Sequence, residues 1–242
     1  MTVRPLLVAI ALAVPACWSS SPAVQPATVA NSASGAPDDS TLERDVQRLG
    51  AYLAGTGEPF TAVELVGFTA THGLVYRTTV CDPDELGGRG AYCTADVCID
   101  VAGAEATCET FVDETVHDSS GTFDPARVSA AIRAAETAKQ PATRGHTEAP
   151  SVVSLSTKDA NLSWTAPTWF GPTRWTLFQA STDPDTNERL GFTAATISSV
   201  LSSDDGTCLA FAGTALRQAR YESVVGSIRV AFALRRCRGV SR

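Results

Sequence analysis

Hydrophobic residues recur at helical spacing in two segments of the chain. The first predicted helix begins at a capping box formed by Ser40 and Glu43, and apolar residues follow one turn apart. These residues are Leu42, Val46, Leu49 and Leu53. The second helix is predicted to begin at Asp124, with Pro125 in its first position, and to end before Pro141.

Between these helices, runs of β-branched and aromatic residues predict four strands. The strands span residues 62–70, 74–80, 94–101 and 106–116. His72 and Gly73 form the predicted turn of the first hairpin, and Gly103 lies in the turn of the second. Apolar and polar residues alternate along 94–101, so we expect one apolar and one polar face there.

After residue 150 the pattern becomes strand-rich. Strands are predicted at 151–157, 161–167, 173–181, 207–213 and 227–236, whereas 188–201 and 214–225 are compatible with helix or strand. The sequence therefore predicts an α+β fold with mostly antiparallel sheets. A helix–four-strand–helix unit (40–140) would precede a linker (141–150) and a strand-rich unit (151–242).

The N-terminal pattern is typical of an export signal. An apolar run of nine residues, 6–14, follows Arg4, and a bilayer-spanning helix needs about 20 apolar residues. We therefore expect residues 1–16 to be a cleavable signal peptide. Residues 17–39 are rich in Ser, Ala and Pro, which predicts a flexible tether.

The signal ends in Val14-Pro15-Ala16-Cys17. This segment resembles the lipobox of bacterial lipoprotein precursors, in which the cysteine is acylated and the chain is cut before it. Pro15 and Val14 are less usual residues in that motif. The resemblance covers about seventeen residues and implies a lipid on Cys17, while ordinary cleavage after Ala16 is the alternative.

The cysteine count is consistent with lipidation. Seven cysteines are present, and acylation of Cys17 leaves six, which suits three disulfides in an oxidising compartment. A turn centred on Gly103 places Cys98 opposite Cys108. The predicted pairs, one of fifteen possible arrangements, are Cys81–Cys93, Cys98–Cys108 and Cys208–Cys237.

Charge argues against one class of partner. The net charge is −7, which does not favour nucleic-acid binding. The acidic excess lies within residues 1–150, whereas residues 151–242 carry seven acidic and ten basic side chains. The arginine-rich C-terminal end could contact anionic headgroups, although a solvated surface is the simpler interpretation.

Searches for catalytic and metal-binding motifs do not yield a site. The chain contains no G-x-S-x-G, H-E-x-x-H or C-x-x-C motif. Asp96 and Asp100 share a strand face, but four residues separate them by about 13 Å, more than the ~5–9.5 Å of paired catalytic carboxylates. We expect no catalytic residues, metal or cofactor from these patterns.

Aromatic residues crowd into 164–178. Trp164, Trp169 and Trp175 could stack on a carbohydrate ligand or contact an envelope protein, or they could pack in the core of a β-unit. Trp175 and Phe178 are three residues apart in the predicted strand 173–181, so their side chains should lie on opposite faces of that strand.

These expectations combine into a lipid-anchored envelope protein facing the periplasm or the exterior. Its predicted role is a non-enzymatic binding or assembly module. The alternatives are a structural subunit of an envelope complex and a cell-envelope hydrolase acting on wall or surface polysaccharide. Convergent carboxylates or a Ser–His pair in a pocket would favour the hydrolase.

Overall fold

The two helices of the computed structural model form where apolar residues recur at helical spacing. Helix α1 (Asp39–Leu53) buries Leu42, Val46 and Leu49. Helix α2 (Pro125–Ala138) is capped by Asp124, whose side chain accepts hydrogen bonds from the backbone N–H groups of residues 126 and 127. The cap and the proline in the first position agree with the sequence prediction. The structure describes residues 39–83, 91–101, 106–115, 123–171, 174–182, 187, 189–221 and 224–238.

Strands account for most of the remaining described residues. In chain order they are β1 (Phe60–Thr69), β2 (Leu74–Pro83), β3 (Ala91–Asp100), β4 (Thr107–Thr115), β5 (Pro141–Thr143), β6 (His146–Glu148), β7 (Ser154–Ser156), β8 (Leu162–Thr165), β9 (Arg174–Phe178), β10 (Ser181–Thr182), β11 (Arg189–Leu190), β12 (Phe192–Ser202), β13 (Cys208–Tyr221) and β14 (Val224–Cys237). All strand pairs in the described part of the chain are antiparallel.

These strands form three main sheets. Sheet 1 has the order β4-β3-β2-β1-β5, sheet 2 the order β14-β13-β12-β6, and sheet 3 the order β7-β8-β9. Strands β10 and β11 pair as a short ribbon. The fold is therefore sheet-rich, mostly antiparallel and contains two helices in its described part, in the order helix, strands, helix and then strands.

The three hydrophobic clusters show how these layers stack. The first cluster lies between the helices and one face of sheet 1, and the third lies between the other face of sheet 1 and sheet 2. The second lies between sheet 2 and sheet 3. Because side chains alternate along a strand, β13 contributes to both of its interfaces: Leu209 and Phe211 face sheet 3, whereas Ala210 and Ala212 face sheet 1.

The chain passes from sheet 1 to sheet 2 within two residues, Arg144 and Gly145, between β5 and β6. Gly145 has φ +75°, and a Cβ atom there would lie 2.3 Å from the carbonyl oxygen of Ser202. Only glycine accommodates this conformation together with so close an approach. This glycine therefore permits the short crossing between the two sheets.

Several expectations can be compared with this fold. Residues 141–150, predicted as a linker, contain β5 and β6, and the segments on either side of them meet in the third cluster. All described residues belong to one compact unit. The segments 188–201 and 214–225, left open between helix and strand, lie largely within β11 to β14. The predicted signal peptide and nearly all of the tether lie outside the described residues.

Candidate functional site

Three disulfides connect neighbouring strands. Cys81 bonds to Cys93, Cys98 to Cys108, and Cys208 to Cys237. The two members of each pair lie directly opposite one another in the strand register. The register of β3 and β4 is the one predicted from a turn centred on Gly103, because Cys98 pairs with Cys108 and Ile99 with Thr107. Residues 102–105, which include Gly103, lie outside the described residues. The pairing is the one that the sequence predicts. Cys17 lies outside the described residues.

The three candidate tryptophans occupy different environments. Trp164 is fully buried and stacks on Trp175, with ring centroids 4.4 Å apart. Trp175 is half-buried at the edge of the second cluster, and Trp169 is 42% exposed. Phe178, of opposite parity to Trp175, is 38% exposed and stacks on Phe192. Of the three, Trp164 is a core residue whose ring cannot receive a ligand, because neither of its faces reaches solvent.

The β12–β13 turn gathers polar side chains around two adjacent carboxylates. Asp205 accepts hydrogen bonds from the Ser203 hydroxyl (2.6 Å) and from the Thr207 backbone and hydroxyl (3.0 and 2.8 Å). His72 Nε2 lies 3.0 Å from the other Asp205 oxygen. His146 Nε2 lies 3.6 Å from Asp204. Through these contacts, the β1–β2 turn of sheet 1 and the first residue of β6 are both connected to the β12–β13 turn of sheet 2.

This arrangement differs from a hydrolytic triad. In a triad the histidine lies between the serine and the carboxylate, whereas here the Asp205 carboxylate lies between Ser203 and His72. The hydrogen bonds from Ser203 and Thr207 lower the pKa of Asp205 well below its usual value. A carboxylate held in its ionised form suits a structural turn, which it stabilises by accepting several hydrogen bonds.

The two aspartates on β3 also have separate contacts. Asp96 accepts a hydrogen bond from the Thr110 hydroxyl (2.6 Å), while Asp100 lies 3.6 Å from the Arg235 guanidinium at the interface of sheets 1 and 2. Among the described residues, no three side chains of His, Cys, Asp or Glu come together as metal ligands. Neither helix of the described part has the length and hydropathy needed to cross a bilayer.

An open cavity of about 280 Å³ lies where sheets 1 and 2 meet. Its lining comes from four strands: β1, β12, β13 and β14. The lining residues are Thr61, Ala194, Ala195, Thr196, Thr214, Ala215, Leu216 and Arg229. The cavity is thus walled by methyl groups and hydroxyl groups, with one arginine.

Alternation along the strands places Ala194, Thr196, Thr214 and Leu216 on the face toward sheet 1, whereas Ala195 and Ala215 pack in the second cluster. Thr61 lies two residues from Val63, which packs in the third cluster, so both face sheet 2. Thr214 lies two residues from Ala212 of the same cluster, and Leu216 and Arg229 are direct cross-strand partners. The small alanine and threonine side chains of this lining leave the space open. We call this space the intersheet cavity.

Two polar groups distinguish the intersheet cavity from an ordinary packing defect. The Oγ1 atom of Thr61 is buried and has no hydrogen-bond partner in the described part of the chain. Arg229 is exposed, and its backbone N–H donates to the Asp82 carboxylate at 3.5 Å. Sequence reasoning missed both residues, because each is an ordinary strand residue until the two sheets are stacked.

Comparisons of this chain with protein-family models, with curated proteins and with solved structures found no match.

Proposed function

We propose that this protein is an exported binding module, attached to a bacterial envelope membrane by a lipid on Cys17. One observation carries the proposal: six of the seven cysteines pair within the fold, and the remaining one lies in the lipobox-like segment. Disulfides persist in oxidising compartments outside the cytosol. An odd cysteine in such a protein needs an explanation, and acylation supplies one.

The sequence around Cys17 supports the same role. The segment that follows, 18–39, is rich in small and polar residues and would hold the folded part away from the membrane as a flexible tether. A single acyl chain gives only marginal membrane binding, whereas two or more anchor a protein stably. The diacylated cysteine of lipoproteins meets that requirement.

The intersheet cavity favours binding as the activity of the folded part. Its lining offers hydroxyl groups, methyl groups and a guanidinium, which are groups that recognise a ligand. Thr61 Oγ1 in particular is an unsatisfied hydrogen-bonding group within the cavity wall.

The proposal can be tested by expressing the full chain in a bacterial host with an alkyne-labelled fatty acid. The wild type should incorporate the label and sediment with membranes, whereas Cys17→Ser should do neither. Ser19→Ala, two residues away, is the matched control and should behave as wild type. Labelled or membrane-bound Cys17→Ser protein would refute the anchor.

Thiol counting separates lipidation from ordinary cleavage after Ala16. The mature protein, unfolded without reduction, should contain no free thiol if Cys17 is acylated and all six other cysteines are paired. Ordinary cleavage would leave the Cys17 thiol free and reactive. More than one reactive thiol would contradict the disulfide part of the proposal.

A further inference from the structure

The intersheet cavity contains one buried group that lacks a partner. Thr61 Oγ1 is enclosed by the cavity wall, yet none of the described residues forms a hydrogen bond with it. Buried hydroxyl groups are nearly always hydrogen-bonded, because leaving one unsatisfied costs free energy. Rotation of the Thr61 side chain about χ1 would bring this hydroxyl to the cavity, where a ligand with a hydrogen-bonding group would satisfy it.

The cavity also contains a cation that is open to solvent. Arg229 forms no ion pair within the described part of the chain, whereas Arg77 and Arg235 each face a carboxylate. Its neighbour across the strand pair is Leu216, which is 37% exposed. A guanidinium is the side chain best suited to binding a carboxylate, because its N–H groups match both carboxylate oxygens.

The other lining residues and the volume indicate how large and how apolar the rest of the ligand is. Ala194 and Leu216 present only hydrocarbon, and Thr196 and Thr214 add hydroxyl and methyl groups, whereas the side chains of Ala195 and Ala215 pack in the second cluster. The volume of about 280 Å³ lies just below the ~300–1,000 Å³ range of small-molecule pockets. A ligand with a short aliphatic chain therefore fits better than a sugar polymer or a peptide.

From this combination we infer that the intersheet cavity binds a short aliphatic carboxylate. The carboxylate accepts hydrogen bonds from the Arg229 guanidinium and from a threonine hydroxyl, and the hydrocarbon chain packs on Ala194, Leu216 and the threonine methyl groups. The lining contains one cation and no carboxylate, and the nearby Asp82 carboxylate accepts from the Arg229 backbone N–H. This inference rests on the proposed function as a binding module and specifies its ligand class.

The test compares three probes of equal chain length, hexanoate, 1-hexanol and hexylamine, by amide chemical-shift titration of the mature protein. Hexanoate should shift the amide signals of Thr61, Thr196, Leu216 and Arg229. Binding of 1-hexanol should be at least about tenfold weaker because it lacks the charge-assisted hydrogen bonds, and hexylamine should bind more weakly still. Equal affinities for all three probes, or shifts located elsewhere, would overturn the inference.

Two variants test the residues. Arg229→Gln should weaken hexanoate binding by about tenfold or more. Arg217 is exposed and directly follows Leu216 in β13, so its side chain lies on the opposite face of the strand from the cavity. Arg217→Gln should therefore leave the affinity for hexanoate unchanged. Equal losses in both variants would indicate a general effect of charge, and unchanged binding in Arg229→Gln would exclude the assigned role.

Thr61→Val tests the role of the Thr61 hydroxyl, with the unfolding temperature as a second measurement beside the affinity. Valine has nearly the same shape, so the unfolding temperature of the ligand-free variant should equal or exceed that of the wild type, while its affinity for hexanoate falls. A lower unfolding temperature would show that the hydroxyl is already satisfied. Membrane attachment and acylation are measured in separate experiments. Failure of hexanoate to bind would therefore not contradict the lipid anchor, and absence of the lipid would not contradict the assigned ligand.

Discussion

Arg77 and Glu136 form an ion pair that is buried between β2 and α2. The Arg77 Nη1 atom lies 2.8 Å from Glu136 Oε1, and the two side chains are only 5% and 8% exposed. The pair lies on the helix-facing side of sheet 1, beside the first hydrophobic cluster. Removing two charges from water is costly, and their mutual attraction offsets this cost only while both are present.

Loss of one partner should therefore destabilise the fold strongly. We expect Glu136→Leu to lower the free energy of unfolding by about 3–5 kcal/mol, because it leaves the buried Arg77 guanidinium without its hydrogen-bonded carboxylate. The double variant Arg77→Met with Glu136→Leu should recover most of that loss. Urea unfolding with the disulfides intact measures both effects.

The ion pair between Arg133 and Glu43 provides the control. Its N–O distance is also 2.8 Å, but its side chains are 37% and 58% exposed. Breaking such a pair with Glu43→Gln should cost less than about 1 kcal/mol. If Glu43→Gln and Glu136→Leu proved equally destabilising, burial would not be the cause of the difference.

Strand β3 shows what local sequence can and cannot predict. Its alternation correctly predicts that Ala95, Val97 and Ile99 pack on one face. The sequence also suggests that the opposite face is polar, yet Cys98 and Asp100 on that face are buried, and Asp100 lies 3.6 Å from Arg235 of sheet 2. Periodicity within one strand gives no information about a second sheet that covers its polar face.

The middle layer was the hardest part to predict for the same reason. Strands β12 and β13 are rich in alanine, serine and threonine, and sheet 2 is covered on both faces. Their pairing also contains irregularities between Phe192 and Ala194 and between Ile197 and Ser199. Each irregularity interrupts the alternation of side chains between the two faces of the strand. Without a regular alternation, the choice between helix and strand depends on the neighbouring strands.

The candidate site was predictable only where the geometry is local. Cys98 and Cys108 pair on strands that are close together along the chain, and the sequence predicts this register. The intersheet cavity instead combines residues as distant along the chain as Thr61 and Arg229. Their proximity depends on how the sheets stack, and neither residue belongs to a motif with a fixed spacing.

Asp45 should make the stability of the protein depend on pH. It is 5% exposed, and burial raises the pKa of its carboxyl above the ordinary value of 3.8, outweighing the attraction of Arg44 and Arg77. The native state therefore binds this proton more tightly than the unfolded chain does. The resulting penalty is fully present above the raised pKa and disappears as the pH falls below 3.8.

Replacing Asp45 with asparagine removes the ionisation and should remove that penalty. We expect Asp45→Asn to be more stable than the wild type at about pH 7, with the difference shrinking as the pH approaches about 4. Urea unfolding at several pH values measures the trend. A variant that is less stable at neutral pH than the wild type would show that the attraction of the arginines exceeds the cost of burial.

The disulfides Cys208–Cys237 and Cys98–Cys108 allow a matched comparison of loop length. Each joins directly opposed residues of an antiparallel pair, and each has one buried member, Cys208 at 0% and Cys98 at 2% exposure. They differ in sequence separation, which is 29 residues for the first and 10 for the second. In the chain-entropy model, the longer loop restricts the unfolded state more.

Replacing both cysteines of either pair with alanine should destabilise the protein by about 2–5 kcal/mol. The loss should be about 1 kcal/mol larger for the Cys208–Cys237 pair, because the entropy of loop closure grows with the logarithm of loop length. Equilibrium unfolding of the two double variants under the same oxidising conditions provides the comparison. An equal or reversed order would mean that native packing around Cys98 and Cys208, rather than the entropy of the unfolded chain, determines what each bond contributes.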